Sequence, residues 1–342
     1  MRAAVFQGVG QPLIIEDRSD PTPGRGELVL RVARCGICGT DLAMTDGSGP
    51  TYEVGSVIGH EFAGEVVAIG PGVERIAVGD RITAMPYTGC GRCPSCVAGR
   101  PNFCAAFRPM VGGFAEYLTV AELTTTRLPA SLTLADGALI EPLAVGLHGV
   151  ALARLEPGQR VLVLGAGSIG LAATFWARQL GAGAIAVSAR SRRREALARA
   201  LGASRFVVPE EPSALPAAVT DALGGLPDVV IEAVGKKDLI AQAIACVRPA
   251  GTVVVLGFCM QPDAFVPALA VWKEVRLQFS MTYSLAEFEH VARTLDRGRV
   301  EPRALITETI PLEQLPSAFE ALRGQSQQCK VLVDPARPAR NG

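Results

Sequence analysis

The central part of the chain, from about residue 143 to residue 285, alternates short apolar strands with helical patterns. The strand-like segments include RVLVLGAG, AIAVSAR and TVVVLGF, and amphipathic segments such as GLAATFWARQLG and RRREALARALGA lie between them. This alternation predicts a mostly parallel sheet, because consecutive parallel strands are joined by helices that cross the sheet. Residues 143–285 are therefore predicted to form one α/β domain with a doubly wound parallel sheet.

The segments on either side of this domain have a different pattern. Residues 1–142 consist of short β-rich runs such as LVLRVARCG, FAGEVVAIG and GDRITAMP, broken by Gly and Pro. Such runs predict a β-barrel-like domain. After residue 285 two helical segments precede a strand at KVLVDP. A length of 342 residues exceeds what one hydrophobic core usually supports, so two domains are expected.

Charge and the amino-terminal segment exclude several classes of protein. Lys and Arg number 33 and Asp and Glu number 33, so no net charge attracts the chain to nucleic acid or anionic lipid. The start, MRAAVFQGVGQP, has too short an apolar run for a signal peptide, which predicts a cytoplasmic protein. The one membrane-like window, residues 161–177, is short for a bilayer span and contains three glycines. We interpret it as a strand, a turn and a helix.

Gly165, Gly167 and Gly170 form a G-x-G-x-x-G pattern directly after the apolar strand RVLVL and directly before a helical segment. Missing Cβ atoms allow a tight turn and close approach of a pyrophosphate, and the helix amino terminus supplies free N–H groups. The pattern predicts a dinucleotide site, although a glycine-rich loop that merely turns is the alternative. The other residues assigned to this site are Ser168, Ile169, Leu256 and Phe258.

The residue at the end of the second strand of this domain indicates which dinucleotide binds. NAD-binding domains usually carry a carboxylate there, whereas this chain has Ser188 followed by Arg190, Arg192, Arg193 and Arg194. Guanidinium groups favour a 2′-phosphate, and Arg190 and Arg193 are the assigned ligands. NADP is therefore predicted over NAD. The alternative is that the arginines form the solvated face of the next helix.

Four cysteines lie close together in a loop rich in Gly and Pro. Cys90, Cys93, Cys96 and Cys104 form a C-x2-C-x2-C-x7-C pattern. Four thiolates at this spacing predict a structural zinc site, whose closed shell leaves no position for substrate. An iron–sulfur cluster is the competing interpretation, but no redox partner motif accompanies the cysteines. The chain has nine cysteines, which in a reducing compartment serve as metal ligands or core residues.

A second set of metal-binding residue types is dispersed along the chain. It comprises Cys38 in CGICGTD, His60 and Glu61 in GHEFAGE, and Glu141 in IEPLAVGLH. A thiolate, an imidazole and a carboxylate can hold zinc and leave one position open for water or an alcohol. Sequence separation alone does not show that these residues meet.

The segment GHE-x2-G-x5-G-x2-V from Gly59 to Val73, together with CGICGTD, the four-cysteine loop and the glycine pattern, resembles the zinc-containing medium-chain alcohol dehydrogenase family. The resemblance implies that Cys38 and His60 bind a catalytic zinc ion, and that Glu61 and Glu141 complete or exchange in its shell. Which of the two is the third ligand stays open. The EPLAVGLH context of Glu141 is similar to the sorbitol, threonine and butanediol dehydrogenase branch.

The same resemblance implies a fold and a reaction. A discontinuous GroES-like catalytic domain, residues 1–142 and 286–342, is expected around a Rossmann domain, residues 143–285, with the active site in the cleft between them. Hydride is expected to pass between a secondary alcohol or polyol and NADP, with two zinc ions per chain. Thr40 matches the hydroxyl that takes the alcohol proton, and Asp41 matches a carboxylate that orients His60. A homodimer or homotetramer is expected.

One position departs from the family pattern and two rival functions remain. Ala43 stands where many relatives have a histidine at the outer end of the proton relay, so the last step there must use water or another group. One rival is a zinc-independent NADPH quinone or enone reductase of the same fold. The other is a non-enzymatic nucleotide-binding protein. The identity of the alcohol and the physiological direction are not specified by the sequence.

Overall fold

The computed structural model describes residues 1–324 and 326–338. The chain divides into two compact units, the first formed by Met1–Glu141 with the segment from Tyr283 onward, and the second by Pro142–Thr282. The observed domain boundaries, 141/142 and 282/283, lie within three residues of the predicted ones, 142/143 and 285/286. Residues 325 and 339–342 of the predicted catalytic domain lie outside the described residues. Tyr283 groups with the first unit because it is buried there and stacks on Phe288, with ring centroids 5.5 Å apart.

The second unit, in which every residue is described, contains a six-stranded parallel sheet. The strands are β10 (Arg160–Leu164), β11 (Ala184–Ser188), β12 (Arg205–Val207), β13 (Val229–Glu232), β14 (Thr252–Val255) and β15 (Arg276–Phe279). Their order across the sheet is β12-β11-β10-β13-β14-β15. The chain starts in the middle of the sheet, moves to one edge and then crosses to the other. This is the doubly wound Rossmann order, as predicted.

Helices connect the strands of this sheet and supply its apolar cover. They are α4 (Ser168–Gln179), α5 (Glu195–Ala200), α6 (Leu215–Leu223), α7 (Leu239–Cys246) and α8 (Pro267–Trp272). The central strands are apolar on both faces, as in Val161–Leu164, because each face packs against helices. Residues of β10, β13 and β14 form one buried cluster with α6 and α7.

Within its described residues the first unit is built mainly of antiparallel strands. They are β1 (Arg2–Val5), β2 (Ile14–Asp17), β3 (Glu27–Gly36), β4 (Glu61–Ile69), β5 (Arg81–Ala84), β6 (Tyr87–Thr88), β7 (Arg108–Pro109), β8 (Tyr117–Ala121), β9 (Thr125–Arg127), β16 (Ile306–Pro311) and β17 (Lys330–Asp334). The helices are α1 (Gly39–Ala43), α2 (Pro94–Val97), α9 (Leu285–Asp296) and α10 (Leu315–Arg323). The predicted strand at KVLVDP and both helices before it are confirmed.

Strand β3 is the centre of the main sheet of this unit. It pairs along its length with β4, at its start with β8, and at its end with β17. Cys35 and Gly36 therefore lie between β4 on one side and β17 on the other. The carboxyl end of β3 and the amino ends of β4 and β17 consequently meet at one place in the sheet.

The chain passes from the first unit to the second within α3 (Leu134–Ala153). This helix is long and apolar enough to cross a membrane by length and composition, but 78% of an 18-residue apolar stretch within it is buried inside the protein. Such burial is typical of a core helix. The prediction that residues 161–177 are the one membrane-like stretch is wrong, because α3 also has the length and composition of a membrane span. Residues 161–177 form β10, a turn and the start of α4, as interpreted.

Candidate active site and metal centres

Cys38, His60 and Glu61 come together where β3 ends and β4 begins. Antiparallel pairing places Gly36 of β3 opposite Glu61, the first residue of β4. Cys38 follows two residues after Gly36 and is the N-cap of α1. One ligand atom from each of Cys38, His60 and Glu61 lies within 4.8 Å of the others. A thiolate, an imidazole and a carboxylate at this spacing fit a single zinc ion.

The Asp41 carboxylate contacts both Cys38 and His60. Its Oδ2 accepts the backbone N–H of Cys38 at 3.1 Å, which closes a capping box at the start of α1. Its Oδ1 lies 3.1 Å from His60 Nδ1. Because Nδ1 is engaged by the carboxylate, the lone pair for a metal is on Nε2. The Tyr52 hydroxyl also donates to Oδ1, at 3.2 Å, and Asp41 is completely buried.

Glu61 forms an ion pair with a lysine that was not among the predicted site residues. Lys330, the first residue of β17, lies with Nζ 2.6 Å from both carboxylate oxygens of Glu61, and both side chains are 0% exposed. Nζ also donates to the Ile37 carbonyl at 3.1 Å. Burial lowers the pKa of Lys330, but the Glu61 and Cys38 charges outweigh it and the pKa is raised. The lysine is therefore a fixed cation beside the candidate metal ligands.

Gly36 leaves the space in which this ion pair sits. A Cβ atom at position 36 would lie 2.0 Å from Glu61 Oε2 and 3.1 Å from Lys330 Cδ. Any residue other than glycine would displace the Glu61 carboxylate. The position of Glu61 thus depends on a missing side chain in the neighbouring strand.

Glu141 lies near the three clustered residues, but it is not one of the residues whose ligand atoms lie within 4.8 Å of one another. It is 7% exposed and interacts with His60, Glu61 and the Tyr283 hydroxyl. Burial raises the pKa of Glu141 to about 7, and the Glu61 charge adds to this increase while His60 opposes it. The structure therefore places Glu61 in the cluster with Cys38 and His60, and Glu141 close to that cluster.

Thr40 is a half-buried residue in the first turn of α1, and its backbone N–H lies 3.4 Å from Cys38 Sγ. Its hydroxyl is thus carried by the same short helix that Cys38 caps. Ala43, in the last turn of that helix, offers no proton-transfer group.

The four cysteines of the loop also converge. The sulfur atoms of Cys90, Cys93, Cys96 and Cys104 all lie within 4.8 Å of one another. Zn–S bonds of about 2.3 Å would place tetrahedral sulfurs about 3.8 Å apart, so the group fits one zinc ion. It is too compact for an iron–sulfur cluster, whose several iron and sulfide atoms must lie between the thiolates.

The polypeptide around these sulfurs suits thiolates. Backbone N–H groups of Arg92 and Cys93 lower the pKa of Cys90 to about 6. The N–H of Cys90 and that of Ala106 point to Cys104 Sγ at 3.4 and 3.3 Å. A Cβ at Gly89 would lie 2.7 Å from Cys96 Sγ, so the loop closes only because residue 89 is glycine.

In the second unit the glycine pattern forms the turn between β10 and α4. Gly165 has φ +105°, which favours glycine, and Gly167 is the N-cap of α4, without a side-chain cap. A Cβ at Gly170 would lie 2.0 Å from the Gly165 carbonyl oxygen. The first helical residues, Ser168 and Ile169, follow directly. The helix amino terminus, with its uncapped N–H groups, fits a pyrophosphate.

Ser188 is the last residue of β11, is buried, and its carbonyl accepts the Gly165 N–H at 2.8 Å. The four arginines after it differ in their surroundings. Arg190 and Arg193 are exposed, whereas Arg192 pairs with Glu195 at 2.6 Å on the solvated face. Arg194 is half-buried and donates to the Ala166 carbonyl, inside the glycine turn, at 3.1 Å.

The two remaining residues assigned to the nucleotide site follow β14. Leu256 is half-buried, and its backbone N–H donates to the Glu232 carbonyl at 2.8 Å. Phe258 is 57% exposed. Both therefore lie just beyond the carboxyl end of a parallel strand, where ligands of such sheets bind.

Comparison with known proteins agrees with this geometry. Residues 24–130 match the family model described as the alcohol dehydrogenase GroES-like domain, and residues 168–297 match that of the zinc-binding dehydrogenase. The sorbitol dehydrogenase of Bacillus subtilis (strain 168) is 33% identical, over 98% of this chain and 98% of that protein.

Two solved structures are similar over nearly the whole chain. A protein from Sinorhizobium meliloti 1021, bound to NADP, has a TM-score of 0.88 and 34% identity, covering 98% of this chain and 99% of that one. The 2R,3R-butanediol dehydrogenase of Bacillus subtilis has a TM-score of 0.87 and 31% identity, with coverage of 98% and 99%. The chain therefore belongs to the zinc-containing medium-chain alcohol dehydrogenase family, whose members are oxidoreductases acting on CH–OH groups.

Proposed function

We propose that this protein is a zinc-dependent dehydrogenase that prefers NADP and interconverts a secondary alcohol or polyol and the corresponding ketone. The observation that carries the proposal is the convergence of Cys38, His60 and Glu61 within 4.8 Å, with Asp41 on the far side of His60. Cys38 belongs to a different segment from the adjacent His60 and Glu61, and a packed core histidine would not need a thiol and a carboxylate beside it.

A zinc ion bound here would supply a Lewis acid that lowers the pKa of an alcohol and stabilises the alkoxide. Residues of the chain would position the metal ligands and accept the alcohol proton. Asp41 orients the His60 ring, and Lys330 holds Glu61. Thr40, on the helix that Cys38 caps, is the group proposed to accept the alcohol proton. Since residue 43 is alanine, the last step of proton transfer would use water or another group.

NADP preference is proposed from the end of β11. Ser188 offers no carboxylate to repel a 2′-phosphate, and the side chains of Arg190 and Arg193, shortly after the end of β11, are exposed. A charged 2′-phosphate gains charge-assisted hydrogen bonds from such groups. The similar Sinorhizobium meliloti structure holds NADP, which supports the same preference.

The substrate class is proposed from the relatives and from Glu141. The similar proteins act, by their names, on sorbitol and on 2R,3R-butanediol. Both are compounds with adjacent hydroxyl groups. A carboxylate near the metal ligands, in place of an apolar side chain, suits a substrate that carries a second hydroxyl. A small polyol or a 1,2-diol is therefore the proposed substrate, and a simple secondary alcohol is the weaker candidate.

Two zinc ions per chain are proposed, one at Cys38, His60 and a glutamate and one at the four cysteines of the loop. The four-cysteine site is closed, so its role is to stabilise the loop. A zinc-independent quinone or enone reductase would need no ion at Cys38. A nucleotide-binding protein without activity would need no complete set of ligands there.

The test measures zinc content and reduction of NADP⁺ and NAD⁺ over a panel of sugar alcohols, vicinal diols and simple secondary alcohols. We expect about two zinc ions per chain, faster reduction of NADP⁺, and loss of one ion and of activity in Cys38→Ser. Enone reduction without zinc, or full activity in Cys38→Ser, would overturn the proposal. A large preference for NAD⁺ would overturn the cofactor assignment alone.

Assembly into a homodimer or homotetramer is also proposed. β15 is an edge strand of the second unit's sheet, and Val271, Trp272, Phe279 and Met281 on and near it are 55–78% exposed. A second copy of the chain could pair with this edge and cover these side chains. Light scattering tests this, since a monomeric mass at micromolar concentration would refute it.

A cytoplasmic location is proposed because all nine cysteines are free in the structure, as expected in a compartment that keeps thiols reduced. Fractionation of cells that produce the protein tests this location. Recovery of the protein outside the cytoplasm would refute it.

A further inference from the structure

Tyr52 makes a contact that the proposed reaction does not use. Its hydroxyl donates to Asp41 Oδ1 at 3.2 Å, the same oxygen that lies 3.1 Å from His60 Nδ1. The other oxygen of Asp41 accepts the Cys38 N–H at 3.1 Å. Asp41 thus has three hydrogen-bond partners: the Cys38 N–H, the His60 ring and the Tyr52 hydroxyl. The first two belong to proposed metal ligands.

The tyrosine is held in this position from its other side. Its ring packs edge-on against Phe6, with ring centroids 6.5 Å apart and an interplanar angle of 70°. Its backbone N–H lies 3.4 Å from the Met44 carbonyl, just beyond α1. Phe6 is 1% exposed and belongs to the core of the first unit. The hydroxyl therefore reaches Asp41 from a ring that the core fixes.

The hydroxyl stays protonated under ordinary conditions. Burial and the Asp41 charge both raise the pKa of Tyr52 well above its usual value. A neutral hydroxyl next to a carboxylate can only donate its hydrogen bond to it. Tyr52 consequently behaves as a permanent donor to Asp41.

We propose that Tyr52 is a positioning residue for the catalytic metal, acting through Asp41 on His60. With two donors on Oδ1 and one on Oδ2, the Asp41 carboxylate has one orientation that satisfies all three partners. In that orientation it takes the Nδ1 hydrogen of His60 and leaves Nε2 directed at the ion. This inference rests on the proposed zinc site at Cys38 and His60.

Loss of the hydroxyl has a defined consequence. The Asp41 carboxylate could then rotate, and the imidazole would no longer have a single favoured tautomer and ring angle. Groups that orient a metal-bound histidine affect metal affinity about 10- to 100-fold. Tyr52 is one contact further away, so an effect at the lower end of this range is expected.

The experiment follows zinc release from the zinc-loaded protein into a coloured chelator. The catalytic ion is identified as the release phase that disappears in Cys38→Ser. In Tyr52→Phe, which keeps the ring against Phe6, this phase is expected to be about tenfold faster, and the phase of the four-cysteine site unchanged. Tyr117→Phe, in β8, is the matched control and is expected to behave like the unaltered protein.

A double variant shows whether Tyr52 acts through Asp41. If it does, Tyr52→Phe adds little to the faster release already caused by Asp41→Asn, because effects of residues in one network are not additive. Equal release from Tyr52→Phe and the unaltered protein, or full additivity with Asp41→Asn, would overturn the inference. Two unchanged release phases in Cys38→Ser would instead overturn the zinc site itself, and the inference with it.

Discussion

Lys330 lies with its Nζ atom 2.6 Å from both carboxylate oxygens of Glu61, and neither side chain is exposed to solvent. The two residues are 269 positions apart in the chain. Their contact exists because β17 and β4 flank the end of β3 on opposite sides. The ion pair therefore connects the last described strand to the proposed metal centre.

Replacing Lys330 by Met is expected to destabilise the first unit by about 3–5 kcal/mol, because Glu61 would keep a buried charge without a partner. Urea unfolding followed by circular dichroism measures this change. The zinc content at Cys38 is expected to fall as well, since Glu61 loses the group that fixes its position.

The double variant Lys330→Met, Glu61→Gln serves as the control. Removing both charges is expected to recover most of the lost stability, because no unpaired buried charge remains. An unaltered free energy of unfolding in Lys330→Met would contradict the assigned role of the pair. The role would also be contradicted if the double variant were less stable than Lys330→Met by the loss that Glu61→Gln causes alone, because the two residues would then act independently.

The alternation of strands and helices was sufficient to predict the second unit. The four central strands, β10, β11, β13 and β14, are short, have Gly or Asp directly at one end and are almost entirely buried, so local composition specifies them. The glycine turn from Gly165 to Gly170 and the four-cysteine loop are also local, because their residues lie close together in the chain. Family resemblance added Cys38 and His60, which are 22 positions apart.

Residues whose role depends on strand pairing were not found. Lys330 begins the strand KVLVD, and a lysine at the start of a strand is expected to be exposed. The Lys330 side chain is nevertheless completely buried. Gly36 is one glycine among 37. Tyr52 lies in a loop without a recognisable pattern. No spacing in the sequence shows that these positions meet Glu61 or Asp41, since register and loop path decide it.

Gly36→Ala tests whether the missing side chain positions Glu61. The added Cβ would lie 2.0 Å from Glu61 Oε2, so the carboxylate must move away from Cys38 and His60. We expect about one zinc ion per chain to be lost and turnover to fall at least about tenfold. Metal analysis and steady-state rates measure both effects.

Gly324→Ala is the matched control for this variant. Its Cβ would have Ala321 O as nearest neighbour, at 3.6 Å, an ordinary contact, and its φ is not in the left-handed region. We expect unchanged zinc content and turnover. If Gly36→Ala also keeps its full zinc content, the space between β3 and β4 does not control the site.

Asp136 and Arg303 give the first unit a dependence on acid pH. Burial raises the pKa of Asp136, but Arg303, at 2.7 Å, and Thr133 outweigh it and hold the pKa below its usual value. A carboxylate with a lowered folded pKa stabilises the protein above its unfolded pKa, near about 4, and this stabilisation is lost as pH falls further. Arg303→Met is expected to cost about 1–2 kcal/mol at pH 7 and to move acid unfolding to higher pH.

Arg299→Met is the control for the acid effect. The Arg299 and Glu301 side chains are 3.9 Å apart and both are exposed, so their pair contributes little. Its unfolding profile between pH 2 and pH 7 is expected to overlay that of the unaltered protein. Identical acid transitions for Arg303→Met and the unaltered protein would show that Asp136 is not stabilised by the arginine.

The arginines after β11 allow a test of cofactor choice within one loop. Arg190→Ala with Arg193→Ala removes two exposed guanidinium groups and is expected to raise the KM for NADP⁺ about tenfold or more, leaving that for NAD⁺ unchanged. Arg192→Ala is the matched control, because Arg192 pairs with Glu195 at 2.6 Å on the solvated face. Ser188→Asp adds a carboxylate at the strand end, which repels a 2′-phosphate and is expected to reverse the preference toward NAD⁺. Steady-state kinetics with both cofactors measure all three variants. Equal losses for NADP⁺ and NAD⁺ would mean that Arg190 and Arg193 bind a group common to both cofactors and do not select between them.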